Sequence, residues 1–174
     1  MRSLLLQATE SVGDPLLAHL RSKPEQVAFM LGSRTAEPDT FRLRELLTLA
    51  QAELDYRWSH VTMSDESRRK LFAWAARPAD ILVEAHSHGF LGDPAAFSLT
   101  DLEGLSEWVP HMRWRLQGRP YGALVFGEES IDGIGWVDEA TILPVSSLEL
   151  VGGVVLRATG RSYQYLARDR HDPD

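Results

Sequence analysis

The segment that most constrains this chain begins with Ile81-Leu82-Val83-Glu84-Ala85-His86-Ser87-His88 and runs on to Asp101. Its apolar, β-branched start predicts a buried strand, and a Gly- and Pro-containing stretch, Gly89 to Phe97, predicts a loop. Ser98-Leu99-Thr100-Asp101 then opens a helix carrying Leu102, Leu105 and Trp108. Alternation along a strand puts His86 and His88 on one side and Ser87 on the other. Ser98 and Asp101 have the spacing of a capping box, with Ser98 as N-cap and the acid three residues on. A strand, a loop and a helix thus deliver two imidazoles, a hydroxyl and a carboxylate within sixteen residues. Two imidazoles and a carboxylate are a suitable three-ligand set for zinc, with a fourth position left for water.

Flanking elements are marked by the same signals. Asp14-Pro15 opens an amphipathic stretch, Leu16 to Leu20, that Lys23-Pro24 closes, which predicts a helix. Val27 to Gly32 is an apolar run ended by glycine and predicts a buried strand; Phe41 to Leu49 is a weaker strand candidate. Tyr56 to Val61 has strand composition. Ser64-Asp65-Glu66-Ser67 starts a helix that runs through Leu71, Phe72 and Trp74 until Arg77-Pro78. Pro110 is expected to end or kink the helix that begins at Ser98. Tyr121–Phe126, Gly133–Val137 and Leu148–Leu156 supply further strands. Together these give an α/β or α+β single domain, with about three helices around a mixed sheet, over residues 1–166. A polar tail is expected over residues 167–174.

Composition narrows the function classes. The 174 residues, 44% of them hydrophobic, suffice for one domain with a substantial core. A net charge of −7 gives no basic excess to displace phosphate counterions, so nucleic acid is not the expected partner. The absence of cysteine excludes disulfides, cysteine-ligated zinc and a cysteine nucleophile, and fits the cytoplasm. The apolar run near Met1 to Gln7 breaks too early for a signal peptide or a membrane helix. Glu128, Glu129, Asp132, Asp138 and Glu139 read as solvated loop acids. His60 and His111 are more economically read as hydrogen-bonded or rim histidines than as ligands. Trp108, Trp114 and Trp136 read as core or sheet-covering aromatics.

A zinc hydrolase also needs a general base, and Glu84, two residues before His86 on the same strand face, is one candidate. The order of a glutamate, His86-Ser87-His88 and Ser98-Leu99-Thr100-Asp101 resembles the JAMM motif of the JAB/MPN metalloproteases. In that family the base lies upstream, at the entry of a buried strand ended by glycine. The matching run here is Pro24-Glu25-Gln26-Val27-Ala28-Phe29-Met30-Leu31-Gly32. The resemblance, over about Asp14 to Phe126, therefore implies Glu25 as base, with Glu84 second. It implies zinc (Zn2+) held by His86, His88 and Asp101, and Ser98 assisting the tetrahedral intermediate. It also implies an MPN/JAB, cytidine-deaminase-like mixed β-sheet flanked by helices. Two departures stand out: Gly89 where the family commonly has proline, and nine residues between His88 and Ser98 where it usually has seven.

The activity implied is that of a compact prokaryotic, deubiquitinase-like metalloprotease. It would be an isopeptidase or processing peptidase cutting after the C-terminal glycine of a ubiquitin-like protein, with operon-encoded E1-like or E2-like enzymes as further partners. Monomer and homodimer are both compatible with it. An inactive scaffold for protein binding, or a zinc amidase for a small metabolite, are the alternative readings.

Overall fold

The computed structural model describes residues 2–22, 25–57, 60–88 and 94–169. Its first strand, β1 (Leu4–Ala8), buries every second residue (Leu4, Leu6 and Ala8) and runs parallel to a neighbour on each side. Those neighbours are β3 (Thr40–Thr48) and β9 (Ile142–Leu150). Between them the sheet continues through β2 (Val27–Arg34), β6 (Ile81–Ser87), β7 (Tyr121–Phe126) and β8 (Ile131–Trp136). The hydrogen-bonded order β1-β3-β2-β6-β7-β8-β9 returns to β1 and closes a ring of seven strands. Short β10 (Val155–Arg157) pairs antiparallel with β9 outside the ring. A separate two-stranded unit joins β4 (Leu54–Arg57) to β5 (His60–Met63).

The expected MPN/JAB, cytidine-deaminase-like mixed sheet flanked by helices is thereby corrected: the sheet is a closed mixed barrel. The closing element is β1, a five-residue strand with no turn signal of its own, held by partners about 35 and 140 residues away. Closure also needs a narrow interior. Gly133 and Gly135 of β8 point into it where a Cβ would stand 2.6 Å from Leu124 Cδ2 and 2.7 Å from Leu4 Cδ2, respectively.

Strand alternation sorts the apolar residues into two layers. Inside lie Leu4, Leu6, Ala28, Met30, Phe41, Leu43, Val83, Ala85, Leu124 and Val145, joined by Val12, Leu16 and Leu20 of α1 (Glu10–Leu20). Outside, Phe29, Leu31, Leu82, Tyr121, Ala123 and Val125 pack with Leu71 of α2 (Asp65–Ala75). Leu105, Val109 and Met112 of α3 (Leu99–Arg115) complete that layer. On β6 the odd positions Ile81, Val83 and Ala85 face inward, so Leu82, Glu84 and His86 face the helices.

Several boundaries differ from expectation for local reasons. Helix α1 starts at Glu10 and carries Pro15 inside it. Helix α3 passes through Pro110, exposed on the solvent side, and continues to Arg115. Tyr56 to Val61 divides between β4 and β5; residues 58 and 59, like Lys23, Pro24 and Gly89, lie outside the described residues. Leu148 to Leu156 divides into the hairpin β9–β10. A fourth helix, α4 (Arg161–Asp169), comes after β10.

Asp132 corrects the reading of the acidic stretch, because it is fully buried. Its Oδ1 accepts the backbone N–H of Gly133 and of Gly160, and its Oδ2 that of Ser162, each at 2.9 Å. The carboxylate thereby satisfies N–H groups at the start of α4, where a negative charge is favoured. Ser162 Oγ in turn accepts Phe97 N–H at 2.9 Å, which fixes the stretch leading into α3.

Candidate metal centre

His86 and His88 stand at the C-terminal end of β6, and Asp101 lies in the first turn of α3 above them. Ser98 is the N-cap of that helix: its Oγ accepts Asp101 N–H at 3.2 Å, and Asp101 Oδ2 accepts Ser98 N–H at 2.7 Å. This capping box fixes the direction of the Asp101 carboxylate. The Ser98 hydroxyl donates its proton to the same Oδ2 at 2.7 Å.

The three candidate ligands converge. His86 Nε2 lies 3.1 Å from His88 Nε2, His88 Nε2 lies 3.2 Å from Asp101 Oδ2, and His86 Nε2 lies 3.7 Å from Asp101 Oδ1. Tetrahedral ligands about 2.0–2.1 Å from a zinc ion stand roughly 3.3 Å from one another. The observed separations bracket that value, so the donor set fits zinc in both chemistry and spacing. Their side chains are 18–21% exposed, which leaves the group reachable from solvent. Phe97 packs against His86 with ring centroids 5.6 Å apart.

Glu25 comes to the same place through strand register. β2 and β6 are antiparallel with Val27 opposite His86, and Ser87 N–H donates to Gln26 O at 3.1 Å. Continued two residues past its last pair, the same register would set Glu25 opposite His88, and opposed residues of an antiparallel pair share a face. Glu25 is half-buried. Its charge is one of the influences that raise the His88 imidazole above its ordinary pKa; the hydrogen bond to Asp101 is the largest, and burial opposes it. Burial would raise the Asp101 carboxyl, but contacts with His86, His88 and Ser98 hold it far below the usual carboxylate range.

Glu84 is placed differently. It lies under α3, where burial pushes its carboxyl pKa up against a hydrogen bond from Tyr121. Tyr121 Oη donates to Glu84 Oε2 at 2.5 Å and accepts from Trp108 Nε1 at 2.8 Å. Sequence reasoning missed Tyr121 as a neighbour of the site, and no local signal in β7 marks it. His111 lies ten residues beyond Asp101 on α3, in a ring cluster with Phe72, Trp108 and Trp114 and away from the ligands. The side chain of His60 lies outside the described residues. Of the three tryptophans, Trp108 and Trp136 are half-buried, whereas Trp114 is 77% exposed.

No family model matches the chain, and no curated protein matches it. Among solved structures it is similar to the solution structure of protein DSY2949 from Desulfitobacterium hafniense, a Northeast Structural Genomics Consortium target. The two are 18% identical over 84% of this chain and 91% of that one, with a TM-score of 0.45. At that level the likeness assigns neither residues nor activity.

Proposed function

We propose that this chain is a zinc-dependent isopeptidase or peptidase that hydrolyses the amide bond after the C-terminal glycine of a ubiquitin-like protein. The observation that carries the reading is the convergence of His86, His88 and Asp101 at near-tetrahedral separations, with the Glu25 charge acting on His88. These three residues would hold the ion. Zinc, when bound, supplies a Lewis acid and lowers the pKa of water toward neutrality. Glu25 takes a proton from the attacking water and returns it to the leaving amine. Ser98 offers its hydroxyl to the oxygen that gains charge as the carbonyl is attacked.

The substrate class rests on the resemblance of the motif to JAMM metalloproteases. It is supported by one feature of the outer layer. The β4–β5 pair lies outside the closed ring and is rooted by Leu54 in the same apolar cluster that underlies α3. Among the described residues no third strand pairs with this unit, so an extended glycine tail could add to its edge. Among the described residues no helix is long and apolar enough to cross a membrane. The proposed setting is the cytoplasm.

The test is a ubiquitin-like fusion ending in glycine before its tag, incubated with purified protein with and without a chelator. Release of the tag after the glycine, abolished by chelation, is expected. Glu25→Gln should keep its zinc and lose turnover. If Glu84→Gln is inactive while Glu25→Gln turns over normally, the base is wrongly assigned; if zinc-free protein is fully active, the metal reading falls.

A further inference from the structure

Besides Arg113, which donates to Asp138 O beyond the end of β8 at 2.8 Å, polar contacts join helix α3 to the strands of the barrel wall at two heights. One is Asp101 against His86 and His88. The other lies seven residues further along the helix, where Trp108 Nε1–H donates to Tyr121 Oη and Tyr121 donates to Glu84. Seven residues are two turns, about 10 Å along the helix axis, so both points fall on the same helix face. On the strand side the two points are adjacent: Glu84 precedes His86 by two residues and shares its face.

We propose that Glu84, Tyr121 and Trp108 form a positioning clamp that sets the height and rotation of α3, and so the distance of Asp101 from the two histidines. The inference rests on the metal reading of those residues. The apolar contacts of Leu105, Val109 and Met112 hold α3 against the sheet without a specific partner atom, so they tolerate small shifts better than a hydrogen bond does. A hydrogen-bonded chain through a tyrosine that is 1% exposed does not, because any displacement strands a buried donor or acceptor. Tyr121 is anchored on its own account by β7, which pairs Tyr121 with Leu82 on β6 and with Trp136 on β8. The chain therefore refers the helix to the strand that carries the histidines. It also gives Glu84 a role distinct from that of a base, since its Oε2 is committed to Tyr121.

The test compares zinc affinity, by competition with a chromogenic chelator, and the visible spectrum of the cobalt-loaded protein. Tyr121→Phe is expected to weaken zinc binding about 10- to 100-fold, the usual range for partners of metal ligands, and to alter the cobalt spectrum. Glu84→Gln keeps an acceptor for Tyr121 and should retain the wild-type affinity and spectrum. Trp108→Phe breaks the far end of the chain and serves if Tyr121→Phe does not fold. Leu105→Ala loosens the same helix face without touching the chain. It should lower thermal stability and leave the cobalt spectrum unchanged. Wild-type affinity and spectrum in Tyr121→Phe, or an equal loss in Leu105→Ala, would overturn the clamp. A wild-type chain that takes up no zinc overturns the metal reading and the clamp with it, and is told apart by the first titration.

Discussion

Ser98 has two roles in the proposed site, and replacing it with alanine separates them. As N-cap it accepts Asp101 N–H at 3.2 Å, and loss of such a cap costs about 1 kcal/mol of stability. For a domain of this size that is a fall in Tm of about 2–4 °C. The Asp101 carboxylate is not released, because the Ser98 N–H still reaches its Oδ2 at 2.7 Å. Zinc affinity should therefore stay within about tenfold of the wild type, the mild end of the effect of altering a ligand's partner. As an oxyanion donor Ser98 has one proton, and in this structure it is directed at Asp101 Oδ2 at 2.7 Å. Catalysis requires that proton to turn to the developing oxyanion. Removing a donor of that kind costs about 2.7–4 kcal/mol in the transition state, or 10²–10³ in turnover. The expected outcome for Ser98→Ala is thus a small drop in Tm, near-normal zinc and turnover reduced by at least about a hundredfold. The assay is differential scanning fluorimetry beside kcat measured on the fusion substrate at saturating zinc. A turnover loss of only a few-fold, in step with the loss of stability, would refute the oxyanion role and leave Ser98 as a cap alone.

Gly133→Ala should test the closed barrel, because its new Cβ would lie 2.6 Å from Leu124 Cδ2 and 2.9 Å from Val145 Cβ, which cannot swing away. Overpacking of this kind costs about 1–3 kcal/mol. A Tm equal to or above that of the wild type would count against the packing described. Asp39 is paired with Arg2, whose hydrogen bond holds the Asp39 carboxyl below its ordinary pKa of 3.8. A depressed folded-state pKa gives stability that is complete above 3.8 and is lost as pH falls from there through the folded-state value. Asp39→Asn tolerates the positive φ of 52° at this position and should be less stable than wild type at pH 7. That difference should shrink in urea titrations at pH 3, and an equal difference at both pH values would contradict the pairing.

How much of the fold and site is legible in sequence depends on how local each cause is. Strand β6 and the start of α3 are readable because apolar composition and cap chemistry act over a few residues, from Ile81 to His86 and from Ser98 to Asp101. Strand β1 is not, since Leu4 to Ala8 gains its place only from two partners far along the chain. The architecture expected from the JAB/MPN resemblance, a mixed sheet flanked by helices, therefore fails at a strand that nothing local marks as the one closing the ring. Asp132 resembles its acidic neighbours because the amides it serves, at Gly160 and Ser162, lie about thirty residues on. The approach of Glu25 to His88 follows from the pairing of β2 with β6, which brings Val27 opposite His86 and which no spacing along the chain displays. Pro110, read as an end or a kink, does not end the helix. A proline on the solvent side of a long amphipathic helix loses one hydrogen bond, and the packing of Val109 and Met112 keeps the helix going.

The buried Asp132 ties helix α4 to the surroundings of the candidate metal centre. Its carboxylate accepts the amides of Gly160 and Ser162 at the start of α4, and Ser162 passes that restraint to Phe97, whose ring packs against His86. Cutting the chain ahead of Gly160 would therefore leave a charge in the protein interior with one amide in place of three. The same cut would remove the acceptor for the Phe97 N–H beside the histidine. Helix α4 thus supports the wall of the candidate site through Ser162 and Phe97.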